Sequence, residues 1–138
     1  MRFIDSNIFI HAWLKPKREL SDAEIEIKRN CKSILKRVEK GEKVVTSVVH
    51  ISEIANILEA NFGVEKAIMY IETILGTDSI EVLQVVEEDI IKALELNKSL
   101  KIGLVDSLAV VLMNKYGIEE IYTQDKDFIK ASVNVIRK

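Results

Sequence analysis

Four acidic residues lie beside apolar residues in this chain, namely Asp5 in RFIDSN, Glu53 in VVHISEIAN, Asp106 in GLVDSLAVVLM and Asp125 in YTQDKDF. A carboxylate removed from water is tolerated only when it is paired, hydrogen-bonded or bound to a metal. Carboxylates that crowd together raise one another's pKa unless a cation offsets their charge. Because ligands that are all oxygen atoms favour Mg²⁺ or Mn²⁺, the four residues predict a shared divalent-cation site.

Each acidic residue also has an ordinary structural explanation. Asp5 can cap the helix that follows it, and Glu53 can lie at a solvated helix boundary. Asp106 falls in the first turn of a predicted helix, where a negative charge is favourable. Asp125 and Asp127 can both cap a turn. Of these two, Asp125 is the better candidate for chemistry because it comes directly after a predicted strand.

The predicted elements alternate between strands and helices. Ser21 and Glu24 have the spacing of a capping box, which predicts the start of a helix. Apolar periodicity predicts strands at 2–4, 43–46, 80–86, 120–123 and 133–136, and helices from about 8, at 21–38, 47–61, 64–75, 87–101 and 104–116, with a helical turn at 125–130. This alternation predicts a parallel α/β sheet, in which ligands gather at the carboxyl ends of the strands.

For two of these helices the sequence also predicts which residues are buried. In helix 87–101 the apolar residues Ile90, Ile91 and Leu94 are expected to face inward. The segment 104–116 is apolar almost all round, which is typical of a central, buried helix.

Composition places the chain among ordinary globular proteins. With 138 residues and 48% hydrophobic content, it fits a single domain spanning 1–138. No apolar run approaches the roughly 20 residues needed to span a bilayer. The first residues lack the apolar stretch of a signal peptide, and the single cysteine cannot form an internal disulfide. We therefore expect a cytoplasmic protein with no membrane segment.

Charge is distributed unevenly along the chain. The net charge is −2, yet residues 15–43 hold 10 of the 20 Lys and Arg residues and only 6 of the 22 acidic residues. A basic segment beside an acidic body suits an enzyme that attracts a phosphate backbone and holds a divalent metal. An ordinary solvated helix face explains the same distribution equally well.

The remaining chemically active side chains favour structural roles. His11 and His50 lie in helical segments without a neighbouring histidine at metal-ligand spacing, so structural or surface roles are expected. Cys31 occupies the apolar stripe of its helix, which predicts packing and not nucleophilic catalysis. Trp13 is interpreted as a core or dimer contact.

The segments FIDSNIFI, TSVVHISEIANIL, GLVDSLAVVLM and IYTQDKDF, in this order, resemble those of PIN-domain ribonucleases, and VapC-like toxins of type II toxin-antitoxin systems in particular. The resemblance spans essentially the whole chain. It implies a PIN-like three-layer α/β/α sandwich around a parallel β-sheet. It also implies that Asp5, Glu53, Asp106 and Asp125 converge on Mg²⁺ or Mn²⁺.

Four further residues are candidates for supporting that site. Ser47 and Thr123 match the small hydroxyl positions of the family, and Asn7 lies two residues after Asp5. Their side chains could orient carboxylates or metal-bound water, although each also has a capping explanation. Asp127 is a candidate fifth acid.

The resemblance implies metal-dependent hydrolysis of RNA, a homodimer and a small antitoxin partner. The segment 15–40 is more charged than in a minimal member of the family, so it could clamp RNA or bind protein. Two alternatives stay open, namely an RNA-processing nuclease outside toxin-antitoxin systems and a binding module with little catalysis. A phosphatase of the haloacid dehalogenase type is disfavoured because position 7 is Asn and not Asp.

Overall fold

A sheet of five parallel strands forms the middle layer of the computed structural model, which describes residues 1–138. The strand order is β3-β2-β1-β4-β5, so β1 lies at the centre and pairs with β2 and β4. Because all strands are parallel, their carboxyl ends share one edge of the sheet. The strands are β1 (Arg2–Ile4), β2 (Val44–Ser47), β3 (Ile80–Leu83), β4 (Glu120–Tyr122) and β5 (Asn134–Ile136).

Helices connect successive strands and cover both faces of the sheet. The predicted capping box is present, because Ser21 Oγ accepts from the Glu24 amide at 3.2 Å and Glu24 Oε1 accepts from the Ser21 amide at 3.1 Å. The helices are α1 (Ser6–Trp13), α2 (Asp22–Glu39), α3 (Val48–Phe62), α4 (Val64–Leu75), α5 (Glu87–Leu100), α6 (Leu104–Tyr116) and a 3-10 helix (Lys126–Ala131). None of them combines the length and the apolar character needed to cross a bilayer.

Two apolar layers hold the sheet between the helices. One is built largely from α1 to α4 and contains Ile8, Ile34 and Leu58. The other is built from α5, α6 and the 3-10 helix and contains Leu112 and Phe128. Residues 107–113 of α6 are all buried, as its apolar sequence predicted. The expected three-layer α/β/α sandwich is therefore confirmed.

The predicted inward face of α5 is only partly right, because Ile90 is half-buried against the second apolar layer whereas the other two residues face outward. Ile91 is 50% exposed and Leu94 is 42% exposed, whereas Asp89 and Ala93 are buried. Asp89 accepts a hydrogen bond from the amide that precedes the helix and lies 3.3 Å from Lys115 Nζ on α6. These polar contacts of Asp89 fix the rotation of α5 about its own axis, so that the side chains of Ile91 and Leu94 face outward. Strand β3 also ends three residues earlier than predicted, since the chain leaves the sheet to begin this helix.

Candidate metal centre at the carboxyl edge of the sheet

Asp5 lies at the end of the central strand and caps α1. Only 3% of the residue is exposed. Asp5 Oδ1 accepts a hydrogen bond from the Ser6 amide, and Oδ2 accepts one from Thr123 Oγ1, both at 2.8 Å. Burial raises the pKa of Asp5 to about 7, and the nearby charges of Asp106 and Glu53 add to the rise. The hydrogen bond from Thr123 acts in the opposite direction because it favours the ionised form.

Thr123 connects the ends of β1 and β4 through its hydroxyl. Its Oγ1 accepts hydrogen bonds from Asn7 Nδ2 and from the Asp125 amide, both at 3.0 Å. Because these two donors occupy the acceptor positions of the hydroxyl, its single proton is directed to Asp5. Asn7 Oδ1 also accepts from the Gln124 amide at 3.2 Å. Asn7 and Thr123 thus support Asp5 through hydrogen bonds.

Glu53 reaches the same edge from α3, which begins directly after β2. Its side chain is half-buried, and its Oε1 accepts a hydrogen bond from Ser6 Oγ at 2.5 Å. The sequence reasoning missed Ser6, although a small hydroxyl residue beside a strand-end aspartate was a visible signal. Ser6 holds two acidic residues at once, since its amide binds Asp5 and its hydroxyl binds Glu53.

Asp106 lies in the first turn of α6 and is half-buried. Burial raises its pKa to about 6, and the charges of Asp125, Glu53 and Asp127 raise it further, in that order of effect. A side chain at Gly103 would crowd this carboxylate, because a Cβ there would lie 3.3 Å from Asp106 Oδ2. The glycine therefore leaves space beside the acidic group.

Asp125 and Asp127 differ in their exposure. Asp125 is half-buried and caps the 3-10 helix, accepting from the Asp127 amide at 2.9 Å. Asp127 is exposed, and one of its oxygens lies 3.7 Å from Lys130 Nζ. Asp127 thus faces solvent while its charge still acts on Asp106.

The candidate centre draws its acidic residues from four separate parts of the chain. No three Asp, Glu, His or Cys side chains are arranged to hold a metal ion together as they stand. Mg²⁺ commonly takes only one or two carboxylates, with water and substrate phosphate completing its shell. The candidate ligand atoms are all carboxylate oxygens. Burial, together with the charges of the neighbouring acidic residues, raises the pKa of Asp5 and of Asp106. A set of ligands made only of oxygen atoms suits Mg²⁺ or Mn²⁺.

Ser47 supports a histidine and contacts no carboxylate. Its Oγ lies 2.6 Å from His50 Nδ1 and accepts from the His50 amide at 3.2 Å, which caps α3. The His50 ring is fully buried with one edge against Phe3, and burial lowers its pKa to about 3. Its Nε2 has no hydrogen-bond partner and lies 3.9 Å from Asp5 Oδ1. Sequence reasoning gave His50 only a structural or surface role and missed this approach.

The other side chains with reactive potential lie among packing residues or at the surface. Cys31 is fully buried in the first apolar layer, and burial raises the pKa of its thiol to about 12. Trp13 packs between the rings of Phe9 and Tyr70, with centroid distances of 5.3 and 4.7 Å. His11 is exposed near the end of α1. The packing role predicted for Cys31 agrees with its burial.

Comparison with known proteins places this chain in a family. The chain is similar to VapC20 of Mycobacterium tuberculosis, a sarcin-ricin loop cleaving toxin, with 20% identity and a TM-score of 0.77 over 100% of both chains. It is also similar to a toxin-antitoxin complex from Klebsiella pneumoniae, with 15% identity and a TM-score of 0.64 over 99% of this chain and 96% of that one. No curated protein matches the sequence. The PIN domain family model matches residues 2–134, and the chain therefore belongs to the PIN domain family.

Proposed function

We propose that this protein is a Mg²⁺- or Mn²⁺-dependent endoribonuclease and the toxin of a VapBC-type toxin-antitoxin pair. One observation carries the catalytic part of the proposal. Asp5, Glu53, Asp106 and Asp125 lie near one edge of a PIN-domain sheet, where burial and the charges of neighbouring acidic residues raise the pKa of Asp5 and Asp106. Such repulsion is relieved when a divalent cation joins the carboxylates.

A bound Mg²⁺ or Mn²⁺ would activate an attacking water at neutral pH and offset charge on the leaving oxygen of a phosphodiester. Asp5 and Asp106 are the residues we expect to hold it, with Glu53 and Asp125 beside them. Ser6 and Thr123 keep Asp5 in one orientation through their hydrogen bonds. This mechanism requires no side chain to act as a covalent nucleophile.

The basic segment supports a phosphate-backbone substrate. Its three arginines are engaged with acidic residues, since Arg18, Arg29 and Arg37 lie 2.6 to 3.7 Å from carboxylate oxygens. Six of its lysines are exposed and form no ion pair, namely Lys15, Lys17, Lys32, Lys36, Lys40 and Lys43. Lys32 and Lys36 lie four residues apart in α2 and Lys40 follows as its C-cap, so successive lysines are about 6 Å apart along the helix axis. Free cations at this spacing favour binding of an RNA backbone.

The structural neighbours support the choice of substrate and partner. VapC20 is described as a toxin that cleaves the sarcin-ricin loop, and the second neighbour was solved as a toxin-antitoxin complex. We propose RNA as the substrate and a small antitoxin as a protein partner. We also expect a homodimer, because α4 exposes apolar side chains that a partner could cover, with Val64 60%, Met69 66% and Leu75 60% exposed. Light scattering on the purified chain tests the dimer, and a monomeric mass at micromolar concentration would rule it out.

The test of the catalytic proposal is cleavage of labelled structured RNA by the purified chain in Mg²⁺ or Mn²⁺. EDTA and Asp106→Asn are each expected to abolish cleavage, because the first removes the cation and the second removes a charged ligand. Asp78→Asn is the matched control, since Asp78 is exposed and outside the site. Cleavage that survives Asp106→Asn would show that the site or the preparation is wrong. RNA binding without cleavage would favour a binding module. Cleavage that no small antitoxin protein inhibits would favour an RNA-processing nuclease.

A further inference from the structure

One buried polar atom beside the candidate centre has no partner. His50 Nε2 lies in a fully buried ring and forms no hydrogen bond. The polar atom it approaches is Asp5 Oδ1, at 3.9 Å. A buried polar group without a partner carries a desolvation cost, so its presence at this position calls for a role.

The contacts of Ser47 determine which nitrogen of this ring carries the proton. Ser47 is fully buried, and its Oγ already accepts a hydrogen bond from the His50 amide. The hydroxyl therefore needs an acceptor for its own proton, and His50 Nδ1 lies 2.6 Å away. When Ser47 donates to Nδ1, the single proton of the neutral ring must be on Nε2.

The opposite tautomer is disfavoured for two reasons. With the proton on Nδ1, the buried hydroxyl of Ser47 would donate to no acceptor among its contacts. Nε2 would then carry a lone pair at 3.9 Å from the carboxylate of Asp5, which is repulsive. Both considerations place an N–H group opposite Asp5 Oδ1.

We propose that His50 is a positioning residue of the metal centre, which directs Nε2–H at Asp5 Oδ1 and so stabilises Asp5 as an ionised, oriented ligand. The proposal rests on the metal-dependent function proposed above. Asp5 already receives one hydrogen bond on each carboxylate oxygen, from Ser6 and Thr123. His50 adds a third donor dipole from α3.

The size of the effect follows from the geometry. At 3.9 Å the contact is longer than a hydrogen bond, so His50 acts on Asp5 as an oriented dipole in a water-poor setting. Loss of a residue that orients a metal ligand typically weakens metal binding about 10- to 100-fold. Because this contact is long, we expect a loss near the lower limit, about tenfold.

The test compares His50→Gln with His50→Phe by calorimetric titration with Mn²⁺ alone, without RNA. Gln can place an N–H near the position of Nε2, so its Mn²⁺ affinity should stay close to that of the unaltered chain. Phe keeps the ring volume and the contact with Phe3 but has no N–H, so affinity should fall about tenfold. Ile54→Val is the control for damage to α3, because Ile54 is buried in that helix, and it should leave Mn²⁺ affinity unchanged.

A second readout does not depend on metal or activity. Nitrogen-15 NMR of the imidazole should show the Nε2–H tautomer in the metal-free chain, and an Nδ1–H tautomer would overturn the proposal even if a variant fails to fold. Equal Mn²⁺ affinity for His50→Phe and the unaltered chain would also overturn it. If the unaltered chain bound no Mn²⁺, the metal centre itself would be wrong, and this outcome is distinct from the other two.

Discussion

Thr123 donates a hydrogen bond to Asp5 across the junction of two neighbouring strands, with 2.8 Å between Thr123 Oγ1 and Asp5 Oδ2. The direction of this bond is fixed because Asn7 and the Asp125 amide both donate to the same hydroxyl. A donor that is held in a fixed direction towards Asp5 favours the ionised form of this carboxylate. The Thr123 hydroxyl therefore holds the backbone of Asp125 in place and at the same time stabilises the negative charge of Asp5.

Thr123→Val should impair both stability and the metal centre. The substitution keeps the shape of the side chain but leaves Asn7 Nδ2 and the Asp125 amide without their acceptor. Removing one partner from buried hydrogen bonds costs about 1–3 kcal/mol, and loss of a residue that supports a metal ligand costs about 10- to 100-fold in affinity or activity. Urea unfolding and RNA cleavage rates measure the two effects.

Thr123→Ser is the matched control for this prediction. Serine retains the hydroxyl and loses only a methyl group, so cleavage should stay within a few-fold of the unaltered chain. If Thr123→Val cleaved RNA as fast as Thr123→Ser, the hydroxyl would have no role in the reaction.

The metal-free protein should become less stable as pH rises from about 4 to about 7. The pKa of Asp5 is about 7 in the folded chain and 3.8 as its ordinary value, so between these limits the folded chain retains a proton that the unfolded chain has released. Stability therefore falls with rising pH in this window, and Asp106 acts in the same direction up to about pH 6. His50 acts oppositely, because its pKa of about 3 lies below the ordinary 6.5.

Comparison with Asp5→Asn isolates the contribution of Asp5. Asn can still cap α1 and accept from Thr123, but it does not titrate. In EDTA, urea unfolding should show the stability advantage of Asp5→Asn growing by about 3 kcal/mol between pH 5 and pH 8. Mn²⁺ should reduce this advantage at pH 8, because it binds the folded, ionised chain. A difference that does not change with pH would show that Asp5 has an ordinary pKa.

The thiol of Cys31 should be unreactive in the folded protein. The residue is fully buried, and burial raises its pKa to about 12, so almost no thiolate is present at neutral pH. A colorimetric thiol reagent should label the chain only after denaturant is added. Labelling of the native chain at the rate of a free cysteine would show that this part of the core opens readily.

The positions of Asp5 and Asp125 could be predicted because each follows a strand and parallel strands end at one edge. His50 could not be placed in the same way. Its approach to Asp5 depends on how the first turn of α3 packs against the end of β1, which is a tertiary contact without local periodicity.

The rotation of α5 shows a related limit of sequence patterns. Ile90 is half-buried in the second apolar layer, but Ile91 and Leu94 are exposed and the helix buries Asp89 instead. Apolar periodicity alone gives no signal that an acidic residue will be buried. The pairing with Lys115, 26 residues later in the chain, gives this carboxylate its buried partner.

Substituting the lysines of α2 should weaken RNA binding without changing the chemistry. Lys32→Ala with Lys36→Ala removes two exposed cations that form no ion pair, and alanine favours the helix, so stability should change little. If both lysines contact phosphates, a plot of log affinity against log salt concentration should become less steep, its slope decreasing in magnitude by about 1.4. In cleavage assays the KM should rise while kcat stays unchanged. Lys98→Ala with Lys138→Ala removes the same charge at other exposed positions and should leave the slope unchanged. Equal slopes for the two double variants would show that α2 attracts RNA only through its contribution to net charge.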